Sequence, residues 1–79
     1  MYLGVFMRKS IIAFYKFVDI NDPKLLKSDL NFFLKDTSIL GTIILSKEGI
    51  NGMCSSNEIE IKSFKDFIFK NILFSDIDI

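Results

Sequence analysis

Residues 41–52 read Gly41-Thr42-Ile43-Ile44-Leu45-Ser46-Lys47-Glu48-Gly49-Ile50-Asn51-Gly52, and the rest of the fold is laid out around this run. Thr42, Ile43, Ile44 and Leu45 form an unbroken block of strand-forming residues, too short for a helix. Lys47, Glu48 and Gly49 follow as a turn, because Gly49 can take a positive φ that a side chain would oppose. Ile50 to Cys54 returns as a further strand, in which Gly52 marks a weak point or a bulge. A hairpin from Gly41 to Cys54 therefore occupies the middle of the chain.

Upstream, Ser10 to Val18 is dominated by Ile, Phe, Tyr and Val and reads as a strand. Asp22 is a good helix N-cap, and Pro23 fits the first helical position, where its missing N–H costs nothing. Leu26, Leu30, Phe33 and Leu34 then recur at helical spacing, with Lys27, Asn31 and Lys35 turned away, and the helix is expected to end near Asp36 to Ser38. Downstream, Ser55 and Glu58 stand at capping-box spacing and open a second helix. Its buried stripe is Ile61, Phe64, Phe67 and Ile68, while Glu60, Lys62 and Asp66 face water. Phe74, Ile77 and Ile79 with Asp76 and Asp78 predict a short closing strand over residues 74–79. The order strand, helix, strand, strand, helix, strand predicts an α+β fold of ferredoxin-like βαββαβ type: a four-stranded antiparallel sheet with two helices on one face. Right-handed crossovers put the first and third strands in the centre.

Seventy-nine residues make one domain, 1–79, with residues 1–9 as an extension ahead of the first strand and Met7 an alternative start to Met1. Nine Phe and no Trp supply a large apolar core. With one Cys and no His, the chain holds no Cys/His zinc site, no internal disulfide and no His acid or base. Neither a metal nor a cofactor is expected. Ten basic and ten acidic residues cancel, so no global field draws in nucleic acid or an anionic membrane. Arg8, Lys9 and Lys16 nevertheless gather near the start, and Asp76 and Asp78 near the end. No stretch reaches the 18 or so apolar residues of a membrane span, Lys16 and Asp19 close the first apolar stretch too early for a signal core, and a lone thiol suits a reduced, cytoplasmic setting.

Two readings of the hairpin stay open. In one, its glycines serve only the turn and a bulge. In the other, Lys47 and Asn51, beside Gly49 and Gly52, contact a phosphate or a partner's backbone. The run is not a P-loop, since no Gly-Lys-Ser/Thr follows the glycines. Nor does it build the stacking platform of an RNA-recognition motif, because Ile50 to Cys54 offers no aromatic or basic residue. RNA contact is left to phosphate, through Lys9, Lys16 or Lys47. Both residue sets of the first strand are largely apolar, while helices cover one face only. The other face is then exposed, covered by something further, or paired with a second copy of the chain.

Ala13-Phe14-Tyr15-Lys16-Phe17-Val18, then Asp22-Pro23, then the run from Gly41 to Gly52, resemble the N-terminal domain of the rhodanese-related tRNA uridine hydroxylase family. The likeness covers Ile11 to Ile79. It implies an acylphosphatase-like fold, in keeping with the element order, and a role beside a catalytic rhodanese domain that hydroxylates the wobble uridine of certain tRNAs. The 79 residues stop before that domain and its catalytic cysteine would begin, and Cys54 is not that cysteine's counterpart: it reads as an inert core thiol. Met53 stands where members carry Thr. The resemblance thus implies an accessory, non-catalytic domain that positions tRNA or braces a catalytic domain, with Lys16, Lys47 and Asn51 as contact candidates and Gly49 and Gly52 as turn glycines. An interaction or dimerisation module, or the remnant of a truncated gene, is the alternative. Acylphosphatase activity is not expected, because Asp19-Ile20-Asn21-Asp22 after the first strand is acidic where a phosphate would need an arginine.

Overall fold

The computed structural model describes residues 9–79. Its elements are β1 (Lys9–Phe17), α1 (Pro23–Leu34), β2 (Leu40–Ser46), β3 (Gly49–Asn57), α2 (Glu58–Phe69) and a 3₁₀ turn over Ile72–Phe74. The strands form an antiparallel sheet in the order β1-β3-β2. The architecture is α+β, with two helices and three strands. The first eight residues of the expected extension lie outside the described residues. Lys9, counted with that extension above, is the first residue of β1 and pairs with Asn57.

Helix α1 starts as its sequence dictates. Asp22 is the N-cap, its Oδ1 accepts the Leu25 N–H at 3.0 Å, and Pro23 occupies the first turn. The helix stops at Leu34, about one turn short of the expected end, and Thr37 closes it by donating from N–H (3.0 Å) and hydroxyl (2.8 Å) to the Leu34 carbonyl.

The start of α2 corrects the expected capping box. Strand β3 runs on to Asn57, because Ser55 pairs with both Ile11 and Leu40, and Ser56 with Ser10. Asn57 is the N-cap in place of Ser55, its side chain accepting the Glu60 N–H at 2.9 Å. Glu60, expected to face water, instead joins two segments: Ser38 Oγ donates to it at 2.6 Å, Ser56 Oγ at 2.5 Å, and the Ser38 N–H at 3.2 Å. These donors, the Ser38 hydroxyl foremost and then Ser56, hold its carboxyl below the usual carboxylate range. A carboxylate depressed in this way stabilises the fold above its unfolded pKa, and that contribution is lost as pH falls through the folded value. Glu60→Gln is therefore expected to flatten part of the acid limb of thermal stability below about pH 4.5, and an unchanged pH profile would refute the clamp. Asp76 is also depressed, through Lys16, and supplies a second part of the same limb.

The closing strand is the second correction. Residues 72–74 form a 3₁₀ turn, and among the described residues the segment's backbone pairing with the sheet is an isolated bridge between Tyr15 and Asp78. Phe74 and Ile77 are both buried, and their spacing of three is that of a turn, not the spacing of two that a strand needs. Their burial takes the chain around the end of α2: the Phe74 N–H donates to the Asn71 carbonyl at 2.9 Å and the Ile77 N–H to the Phe74 carbonyl at 3.0 Å. Among the described residues β3 is therefore the one central strand, and β1 is an edge apart from that bridge.

The core lies between the helices and one face of the sheet. Phe64 and Phe74 are fully buried, Phe14 and Ile68 nearly so. Phe64 on α2 meets Phe14 of β1 at 5.6 Å between ring centroids and Phe33 of α1 at 6.3 Å, tying the three elements together. Phe67, expected in the buried stripe, is half-buried and stacks on Phe33 at 4.4 Å.

Candidate functional site

Alternation along the strands fixes two faces. On β1, Ile12 and Phe14 point to the helices, and Ile11, Ala13, Tyr15 and Phe17 point away. The antiparallel register carries the outward set across the sheet in rows: Phe17–Gly49–Ser46, Tyr15–Asn51–Ile44, Ala13–Met53–Thr42 and Ile11–Ser55–Leu40. No helix covers these rows. Phe17 is 82% exposed, Ile11 70%, Leu40 68%, Tyr15 65%, Ile44 60% and Met53 57%. Scattered apolar residues are normal on a surface, but six large ones on a single sheet face make a patch of the kind that interaction surfaces carry. Tyr15 and Phe17 meet edge to face, with centroids 6.0 Å apart. Asn51 lies between Tyr15 and Ile44 as the polar group at the middle of this row.

The contact candidates read from the sequence do not come together. Asn51 is on the open face. Lys16 points to the opposite side, half-buried, and its ammonium pairs with the Asp76 carboxylate. Lys47 is at the hairpin tip, and Lys9 is at the far end of β1, so the lysines form no common basic patch. Ile44, Leu40 and Met53, not singled out beforehand, complete the patch with Ile11, Tyr15 and Phe17. For Ile44 the signal was present in the unbroken apolar run Ile43-Ile44-Leu45 of β2, which serves both faces of the sheet; Leu40 and Met53 lie outside that run. Cys54 points into the core, burial pushes its thiol pKa up, and it behaves as a small apolar group. Among the described residues, no three His, Cys, Asp or Glu side chains are grouped to hold a metal, and no helix is long and apolar enough to cross a membrane.

Residues 9–79 match the UPF0176 acylphosphatase-like domain. The chain belongs to this family. It is similar to a tRNA uridine(34) hydroxylase of Legionella pneumophila (strain Corby), with 36% identity over 72 residues, which are 90% of this chain and 28% of the relative. A protein of the same name from Acaryochloris marina is 38% identical over 66 residues, covering 84% of this chain and 21% of the relative. One from Streptococcus suis (strain 05ZYH33) is 31% identical over 67 residues, 85% of this chain and 20% of the relative. The chain thus spans between a fifth and 28% of the length of these relatives.

Within this UPF0176 acylphosphatase-like domain, Gly49 and Gly52 act in different ways. Neither loop residue, Lys47 or Glu48, has a positive φ, so Gly49, at φ +150°, absorbs the turn's handedness. The chain after β1 docks against this turn, with the Val18 N–H on the Glu48 carbonyl and the Ile20 N–H on that of Lys47, each at 3.0 Å. Gly52 makes no bulge, since the register through Phe14 and Ile43 is continuous. It is a packing glycine: a Cβ there would stand 2.7 Å from Cζ of the Phe14 ring. Gly49 thus shapes the turn at one end of the open face, and Gly52 leaves room beneath it for the Phe14 ring.

Proposed function

We propose that this domain is the N-terminal accessory part of a protein that hydroxylates the wobble uridine of tRNA, and that it braces the catalytic part or positions tRNA for it without catalysing the reaction itself. The observation carrying this reading is the match of residues 9–79 to the family's acylphosphatase-like domain, together with the relatives' name, tRNA uridine(34) hydroxylase. A cytoplasmic setting goes with it. Bracing is favoured over tRNA contact by the disposition of charge: Lys16 is committed to Asp76, and Lys9 and Lys47 stand at opposite ends of the sheet. Any tRNA contact would rest on Lys47 and Asn51. The fold reading that accompanies this role is ferredoxin-like. A fourth strand would run along the outer edge of β1, and the Tyr15–Asp78 bridge stands at its place.

The test is a chimera in which this chain replaces the matched portion of the Legionella relative, in cells lacking their own enzyme. Hydroxylated uridine at position 34, counted by mass spectrometry of purified tRNA, is expected to persist. A soluble, intact chimera that leaves the uridine unmodified would sink the proposal. Lys47→Ala in the same chimera separates the two roles: unchanged product supports bracing, and a salt-dependent loss of tRNA affinity supports positioning.

A further inference from the structure

We propose that the cavity between α1 and β2 binds a small anionic amphiphile, an alkyl or aryl carboxylate whose apolar body is about the size of benzene. This goes beyond the accessory role and does not depend on it. The cavity lies on the helix side of the sheet, away from the open face, and has a volume of about 180 Å³. Leu30 and Cys54, 3% and 2% exposed, are its most buried lining residues, and the half-buried Leu34, Ile43 and Leu45 complete its apolar wall. Its cause is where the rings go. Phe33, which α1 turns into the core, stacks on Phe67 and meets Phe64, so the large side chains fill the space between the two helices. No aromatic side chain lines the space between α1 and β2, and the Leu and Ile side chains there leave it unfilled. An apolar void of about 150 Å³ stays dry and takes up benzene.

The charge at the cavity's mouth selects the head group. Lys27 is the one charged side chain of the lining, and Asn31 follows it one turn along α1. The positions three and four away from Lys27 on the helix are Pro23, Lys24, Leu30 and Asn31, so no acidic neighbour answers its ammonium. Among the described residues the ion pairs are Lys16–Asp76 and Lys62–Asp66, and Lys27 takes part in neither. A carboxylate at the mouth would accept from the Lys27 ammonium and the Asn31 amide, which are both exposed donors. Its apolar body would meanwhile bury against Leu30, Ile43 and Leu45, so head and tail each gain a partner that water does not supply. A cationic head in the same place would meet the charge of Lys27, and a neutral one would gain the burial alone.

The experiment is an amide-resolved NMR titration of the 79-residue chain with hexanoate, hexan-1-ol and hexylamine. Hexanoate is expected to shift the Leu30, Ile43 and Cys54 amides and to reach half-saturation at about 1 mM. From butanoate to hexanoate the affinity should rise about fourfold per added methylene. Hexylamine is expected to bind at least about tenfold more weakly than hexanoate. Lys27→Gln alters an exposed side chain and leaves the fold intact; it should weaken hexanoate by about three- to tenfold and leave hexan-1-ol unchanged. The proposal is overturned by shifts that do not saturate by about 20 mM, by shifts centred on Tyr15 and Ile44 of the open face, or by equal affinity for hexanoate and hexylamine. A Lys27→Gln chain that holds hexanoate as tightly as the original overturns it too.

Discussion

Phe64→Ala is expected to remove about 3–5 kcal/mol of folding stability. The ring has no solvent exposure, and it touches both the Phe14 ring below and the Phe33 ring beside it. Deleting it loses the transfer free energy of a phenyl group and leaves a cavity that two strands and two helices must close. A domain of this size has roughly 4–12 kcal/mol in total, so the substitution takes a quarter of it or more. Urea titration followed by circular dichroism measures the loss. Phe32→Ala is the control: Phe32 is 73% exposed, with the Lys35 ammonium 5.0 Å from its ring centroid, and its removal should stay within about 0.5 kcal/mol. Comparable costs for the two would mean that the core is not centred on Phe64.

Gly49→Ala has the second large effect, for a backbone reason. An alanine at φ +150° is strained by about 1–3 kcal/mol. Its Cβ would also overlap the carbonyl oxygen of Lys16, main-chain atoms of the neighbouring strand that have no rotamer to move to. Relief requires the Phe17–Gly49 end of the sheet to part, and with it the Val18 and Ile20 hydrogen bonds to the turn. The expected result is a lower urea midpoint together with fast amide exchange at Val18 and Ile20. Gly52→Ala offers the contrast, because its obstacle is chiefly the Phe14 side chain. Phe14→Leu should recover part of the stability lost in Gly52→Ala and none of that lost in Gly49→Ala. Slow exchange at Val18 in Gly49→Ala would defeat the argument.

What the sequence made legible was what local chemistry controls. Asp22 and Pro23 start a helix whatever lies around them, and a Lys-Glu-Gly turn between two β-branched runs specifies a hairpin with Gly49 at positive φ. What it hid was decided by partners distant in the chain. Ser55 and Ser56 have the side chains of a helix cap, yet β1 and β2 both extend far enough to keep them in β3, so the cap moves to Asn57. Residues 74–79 alternate well enough for a strand, but Phe74 and Ile77 gain more by burial beneath α2. The site followed the same division. The two-sided apolar character of the first strand announced an uncovered face. Alternation alone puts Lys16 on the side of Ile12 and Phe14, but its pairing with Asp76, 60 residues away, is reported by no local pattern.

The order β1-β3-β2 has a consequence in time as well as in space. The strand made first cannot pair until the strand made third exists, because its nearest partners, Phe17 and Gly49, are separated by 32 positions. At a synthesis rate of about 5–20 residues per second, that is a wait of roughly 2–6 s. During it, Ile12 and Phe14 have no sheet to join, while β2 and β3 can close their hairpin within about 10 µs of being made. The newborn chain therefore passes through seconds in which Ile12 and Phe14 are open to chaperones and to neighbouring nascent chains, a period that the finished fold, with both residues buried, gives no sign of.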